Sequence, residues 1–116
     1  MLKKIKDIDI NYIDYGEGKD TVVLLHGWGQ NIEMMKPIGD RLKNNFKVII
    51  IDLPGFGLSE EPKEIWSVYD YADAIKELLT SLKVSNPIMI GHSFGGKISL
   101  VYASKYKVKK VVTFGS

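Results

Sequence analysis

Apolar residues recur along this chain at two different periods, and segments of the two kinds alternate. Residues 2–6 and 8–15 read as short strands about a turn at Asp7. In the second, Ile8, Ile10, Tyr12 and Asp14 share one face, and Asp9, Asn11, Ile13 and Tyr15 the other. Thr21–Leu25, Lys47–Ile51 and Pro87–Ile90 are nearly continuous apolar runs, the pattern of strands buried on both faces. Val108–Phe114 reads as a last strand. Between them, helical spacing predicts helices near 33–44, 68–82 and 95–105. In the second helix Val68, Tyr71, Ala72, Ile75, Leu78, Leu79 and Leu82 line one face. Ser67, with Asp70 three residues on, is placed to cap it.

Strand and helix in alternation predict an α/β fold. Its sheet of about six strands is mostly parallel, with helices on both faces. The opening strands are joined by a tight turn, so they should form an antiparallel hairpin. The 116 residues make one domain, able to bury roughly two-thirds of its unfolded surface.

Composition narrows the functions. The net charge of +2 gives no reason to expect a nucleic acid or an anionic membrane as partner. The charge is uneven. Residues 94–116 hold Lys97, Lys105, Lys107, Lys109 and Lys110 and no acid, read as a solvated helix end and strand edge, while the first 93 residues are net acidic. The absence of cysteine excludes disulfides and thiolate metal sites. MLKKIKDIDI lacks the apolar run of a signal peptide, and no apolar run is long enough to span a membrane. A cytoplasmic location is the default expectation.

The segment with chemistry is Gly91-His92-Ser93-Phe94-Gly95-Gly96, between a predicted buried strand and a predicted amphipathic helix. In a G-x-S-x-G turn of this kind the strand reverses sharply into the helix, lifts the serine above the sheet and strains its backbone. Crowding of strand and helix then requires Gly91 and Gly95 to lack side chains. The helix N-terminus directs free N–H groups at the place where negative charge would develop.

Two more segments extend the pattern. His26-Gly27-Trp28-Gly29-Gln30-Asn31 follows the Thr21–Leu25 strand, and Asp52-Leu53-Pro54-Gly55-Phe56-Gly57-Leu58-Ser59 follows Lys47–Ile51. Together the three motifs resemble the N-terminal half of the α/β-hydrolase family, and the HGWG form is similar to that of carboxylesterases. The resemblance implies Ser93 as nucleophile and the backbone N–H groups of Trp28 and Phe94 as an oxyanion hole. His26, Gly27, Gly29, Gly91 and Gly95 would be supports of the loop and elbow. It implies a small-molecule ester substrate and no cofactor or metal. Trp28, Met34, Phe56 and Phe94 are candidates either for an apolar acyl pocket or for ordinary packing.

The family's acid and histidine follow the serine, but no Asp, Glu or His follows Ser93 here. His26 and His92, the only histidines, are poor candidates for the base, and Asp52 is expected to order its own Pro-Gly loop. The chain therefore reads as truncated, a gene fragment or one half of an assembled pair, inactive or incomplete alone. Its bare 108–114 edge would join a second copy or the missing C-terminal half. Two rivals remain: a non-catalytic binding protein on a hydrolase-like scaffold, and a P-loop nucleotide binder. Gly91–Lys97 matches G-x-x-x-x-G-K, but Ile98 stands where a Ser or Thr must hold Mg²⁺.

Overall fold

The computed structural model describes residues 1–115. Its strands are β1 (Leu2–Ile5), β2 (Ile8–Gly16), β3 (Thr21–Leu25), β4 (Lys47–Ile51), β5 (Ile88–His92) and β6 (Lys110–Phe114). The helices are α1 (Ile32–Leu42), α2 (Val68–Ser81) and α3 (Phe94–Lys105). One six-stranded sheet runs in the order β1-β2-β4-β3-β5-β6. β1 and β2 form the expected antiparallel hairpin, with Leu2 opposite Asn11 and Ile5 opposite Ile8. Lys6 and Asp7 both take positive φ (50° and 67°) in the two-residue turn, the geometry that matches strand twist. The second half of β2 then pairs antiparallel with β4, and every later pairing is parallel.

Period-two alternation sorts the buried strands onto two cores. Val22, Leu24, Val48 and Ile50 face α1, joined by Ile32 and Met35. Val23, Leu25, Ile49, Ile51 and Met89 face α2 and α3, joined by Ile75, Leu78, Leu79, Ile98 and Tyr102. β2 serves both: Ile8, Ile10 and Tyr12 pack on the second core, Ile13 and Tyr15 on the first. α1 comes so close to the sheet at Gly39 that an added Cβ would lie 3.0 Å from Val48 Cγ1 and overlap the Tyr15 hydroxyl. Ser67 and Asp70 form the reciprocal capping box at the start of α2.

Two boundaries and the character of one helix differ from the sequence reading for tertiary reasons. β5 continues to His92, because Gly91 and His92 still pair with Thr113 and Phe114. β6 starts at Lys110, two residues late: Lys109 N–H turns instead to the Pro87 carbonyl (2.8 Å). α3 is less amphipathic than predicted, since it packs on both the sheet and α2 yet leaves Leu100 exposed. The charge asymmetry is partly resolved in space: Lys105 pairs with Asp73 (2.6 Å) and Lys109 with Asp20 (2.8 Å). Among the described residues no helix is long and apolar enough to cross a membrane.

The sheet's two edges contrast. β1 is short and carries Lys3 and Lys4, which discourage pairing with another chain. β6 carries Val-Val-Thr-Phe after Lys110, and Val112 and Phe114 are 39% and 42% exposed. We propose that two copies of this chain pair through β6: the weight-average mass should rise with concentration in sedimentation equilibrium, and Val112→Lys should shift it back toward monomer. A constant 13.1 kDa species at every concentration would refute this.

Candidate active site

Only Ser93 separates β5 from α3. It turns the chain at φ 54° and ψ −112°, a conformation that an L-residue with a side chain occupies at a cost of about 1–3 kcal/mol. The turn is held by the Ser93 N–H, which donates to the Phe114 carbonyl (2.9 Å), and by the Ser93 carbonyl, which accepts from Lys97 N–H (3.1 Å). A Cβ on Gly91 would overlap the Gly95 carbonyl, so strand and helix meet backbone to backbone there. A Cβ on Gly95 would instead overlap the Leu25 carbonyl, so this glycine lets α3 approach β3 rather than β5.

One residue leaves no room for a phosphate-cradling loop, which overturns the nucleotide-binding alternative at Gly91–Lys97. Ile98, at the position that should hold Mg²⁺, is fully buried in the α2–α3 core.

Ser93 opens into a groove of about 450 Å³, lined by Trp28, Phe94, Lys97, Leu100 and Thr113 among others. Trp28, at the tip of the 26–31 loop, is 66% exposed. Its ring packs edge-on against Phe56 (4.7 Å) and Phe94 (5.2 Å). It divides the groove from a second one bounded by Pro54, Phe56, Pro62 and Tyr71. Among the described residues, neither the Trp28 nor the Phe94 backbone N–H has an acceptor. Met34, a candidate for the same lining, is exposed on α1 and borders neither groove. Leu100, Lys97 and Thr113 were not foreseen as groove residues: Lys97 and Leu100 follow Ser93 on successive turns of α3, and the packing of α3 on β6 brings Thr113 beside them.

Both histidines are engaged. His26 is fully buried, and its Nδ1 lies 2.7 Å from the Gly27 carbonyl while its Nε2 accepts from Leu53 N–H (2.9 Å). Nε2 thus holds the lone pair and Nδ1 the proton, so the ring is a neutral tie between the 26–31 and 52–59 loops. Burial lowers its pKa below the ordinary 6.5, opposed by the Gly27 hydrogen bond. His92 sits beside Ser93 in the chain, but its Nδ1 bonds Gln30 Oε1 (3.1 Å) and its ring packs on Phe114.

Asp52 does more than order its own loop. Its buried carboxylate accepts from Leu58 N–H (2.9 Å), from Asn11 Nδ2 (3.0 Å) and from Ile32 N–H at the first turn of α1 (2.8 Å). Gly57 is required beside it, at φ 55°, where a Cβ would overlap the carboxylate. Among the described residues no group of three or more His, Asp or Glu gathers to hold a metal ion.

Two stability tests follow from this geometry. Ser93→Gly should stabilise the chain by about 1–2 kcal/mol in urea unfolding, because glycine adopts the hinge angles without strain, whereas Ser93→Ala should not. For His26, the folded state binds its proton less readily than the unfolded state. The stability it supports is therefore full above pH 6.5 and is lost as pH falls below that value. Unfolding free energies measured at pH 8, 7, 6 and 5.5 should decline in this window, and His26→Gln should flatten the decline.

The chain matches the family model described as alpha/beta hydrolase fold over residues 20–116. It is 34% identical to the 2-(acetamidomethylene)succinate hydrolase of Mesorhizobium japonicum over 99 residues, covering 85% of this chain and 35% of the relative. It is 33% identical to 2-hydroxy-6-oxononadienedioate/2-hydroxy-6-oxononatrienedioate hydrolase 1 of Pseudomonas putida, covering 94% of this chain and 41% of the relative. A thermophilic esterase from Thermogutta terrifontis superposes with a TM-score of 0.90 at 25% identity, over 97% of this chain and 44% of that one. The chain thus spans less than half the length of each of these relatives. A match over most of the chain, on the sheet order and strand-to-helix turn described above, establishes that it belongs to the alpha/beta hydrolase fold family.

Proposed function

We propose that Ser93 is the nucleophile of a carboxylic ester hydrolase, with the N–H groups of Trp28 and Phe94 as its oxyanion hole. One observation carries the reading: a serine alone at a strained strand-to-helix hinge, sharing a groove with two residues whose backbone N–H groups have no acceptor among the described residues. Membership of a family with hydrolase relatives, and the fold of an esterase, support it.

In the proposed reaction Ser93 Oγ attacks the ester carbonyl carbon and its proton passes to a base. The carbonyl oxygen becomes an anion beside two amide dipoles that are already fixed, so no reorganisation is needed as charge develops. Collapse of the tetrahedral intermediate expels the alcohol and leaves an acyl-serine, which water hydrolyses. Trp28, Phe94 and Leu100 offer apolar surface for the acyl or alcohol part.

Among the described residues no His, Asp or Glu lines the groove at Ser93 or hydrogen-bonds its hydroxyl. Both nitrogens of His26 are committed, Nδ1 of His92 is committed to Gln30, and residues 94–116 contain no Asp, Glu or His. Unassisted, a serine hydroxyl stays protonated at neutral pH and is a weak nucleophile. Accordingly, a fluorophosphonate should label Ser93 slowly and stoichiometrically, mapped by peptide mass spectrometry and lost in Ser93→Ala. The same chain should hydrolyse p-nitrophenyl butyrate no faster than Ser93→Ala. Absence of labelling would favour a non-catalytic scaffold, and turnover at ordinary enzyme rates would show that a base is present after all.

A further inference from the structure

We infer that Gln30 and His92 form a latch that fixes the two proposed oxyanion donors relative to each other, making both positioning residues. The inference rests on the proposed roles of Ser93, Trp28 and Phe94. Those donors come from separate parts of the chain: Trp28 from the loop after β3, Phe94 from the first position of α3. Their relative placement needs a link across the gap. The Gln30 side chain folds back so that Oε1 accepts from Gly27 N–H (2.9 Å), the residue immediately before Trp28. The same oxygen lies 3.1 Å from Nδ1 of His92, the residue immediately before Ser93.

The chemistry of the pair fixes the protons. An oxygen that accepts from an amide N–H faces His92 as an acceptor again, so His92 carries its proton on Nδ1 and donates. One carboxamide oxygen thus clasps the two segments one residue upstream of the oxyanion loop tip and of the nucleophile. Gln30 N–H donates back to the Gly27 carbonyl (3.1 Å), closing a small ring that sets the loop's shape. Gly27 is buried against this latch: a Cβ there would lie 2.9 Å from Gln30 Oε1 and 3.0 Å from His92 Nδ1. Phe114 packs on the far side of His92, ring centroids 5.0 Å apart, and holds the imidazole in place.

The expected consequence is selective. Loss of the acceptor oxygen should loosen the Trp28 N–H against Phe94 and weaken binding of a tetrahedral anion, with little effect on the sheet. Phenylboronic acid provides the probe. Ser93 Oγ donates a lone pair to boron, its proton leaves to solvent, and an anionic tetrahedral boronate remains in the donor site. Gln30→Met removes the acceptor at similar size, and Gln30→Glu restores an acceptor oxygen. Boronate affinity should fall about 10-fold in Gln30→Met and His92→Phe, and stay within about 3-fold of wild type in Gln30→Glu. Amide hydrogen exchange at Gly27 gives an independent readout: about 10-fold faster in Gln30→Met, near wild type in Gln30→Glu and unchanged in Ser93→Ala.

Unchanged boronate affinity in Gln30→Met, or equal damage from Gln30→Glu, overturns the latch. Absence of any boronate adduct in wild type overturns the Ser93 reading instead. In that case unchanged Gly27 exchange in Gln30→Met would overturn the latch as well.

Discussion

The close approach of three backbones around Ser93 is the constraint on which the rest of the structure depends. β5 must hand over to α3 through a single residue, while α3 must lie against both β5 and the end of β3. Gly91 permits the first contact and Gly95 the second, because any side chain at either position would overlap a carbonyl group. With no slack left, the one residue between them is forced to positive φ. That strain lifts its side chain toward a groove and leaves the next N–H, on Phe94, without an acceptor among the described residues. The geometry of the proposed nucleophile and the geometry of packing are thus one requirement.

The loops above the sheet are held by two buried polar hubs. Asp52 gathers donors from β2, from α1 and from its own turn. His26 spans the loops after β3 and β4 as a neutral imidazole with both nitrogens satisfied. A buried carboxylate or imidazole is costly unless its hydrogen bonds are complete, and completeness makes these hubs rigid. The aromatic tier of Trp28, Phe56, Phe94 and Tyr71 rests on this framework and shapes both grooves beside Ser93. Neither the histidine nor the aspartate is free for proton transfer, which is the price of their structural role.

Parallel strands bring the Ser93 hinge and the 26–31 and 52–59 loops to the same end of the sheet, since β3, β4 and β5 all point the same way. That arrangement accounts for segments as far apart as Gln30 and His92, 62 residues along the chain, meeting in one site. It also explains the uneven cover of the sheet. α1 packs on β3 and β4, α2 and α3 on the opposite face, and β6 is left with a partner on one side only among the described strands.

By itself, the sequence determined what local chemistry can encode. Alternation of strand and helix patterns, the capping box at Ser67, the hairpin at Asp7 and the strained turn at Ser93 each depend on residues within a few positions of one another. Periodicity or steric need writes them directly into the chain. Only the tertiary structure decided which distant groups meet. Gln30 reads as one polar residue in a glycine-rich loop until β3 and β5 lie side by side and bring it to His92. Lys105 and Lys109 read as part of an unrelieved basic tail until Asp73 and Asp20 come alongside. Ile98 and Gly95 acquire their meaning from the core and from β3, which no local pattern reveals. The physical reason is common to all of these: a hydrogen bond or close contact between remote segments is set by strand order and packing distance, and those belong to the assembled sheet.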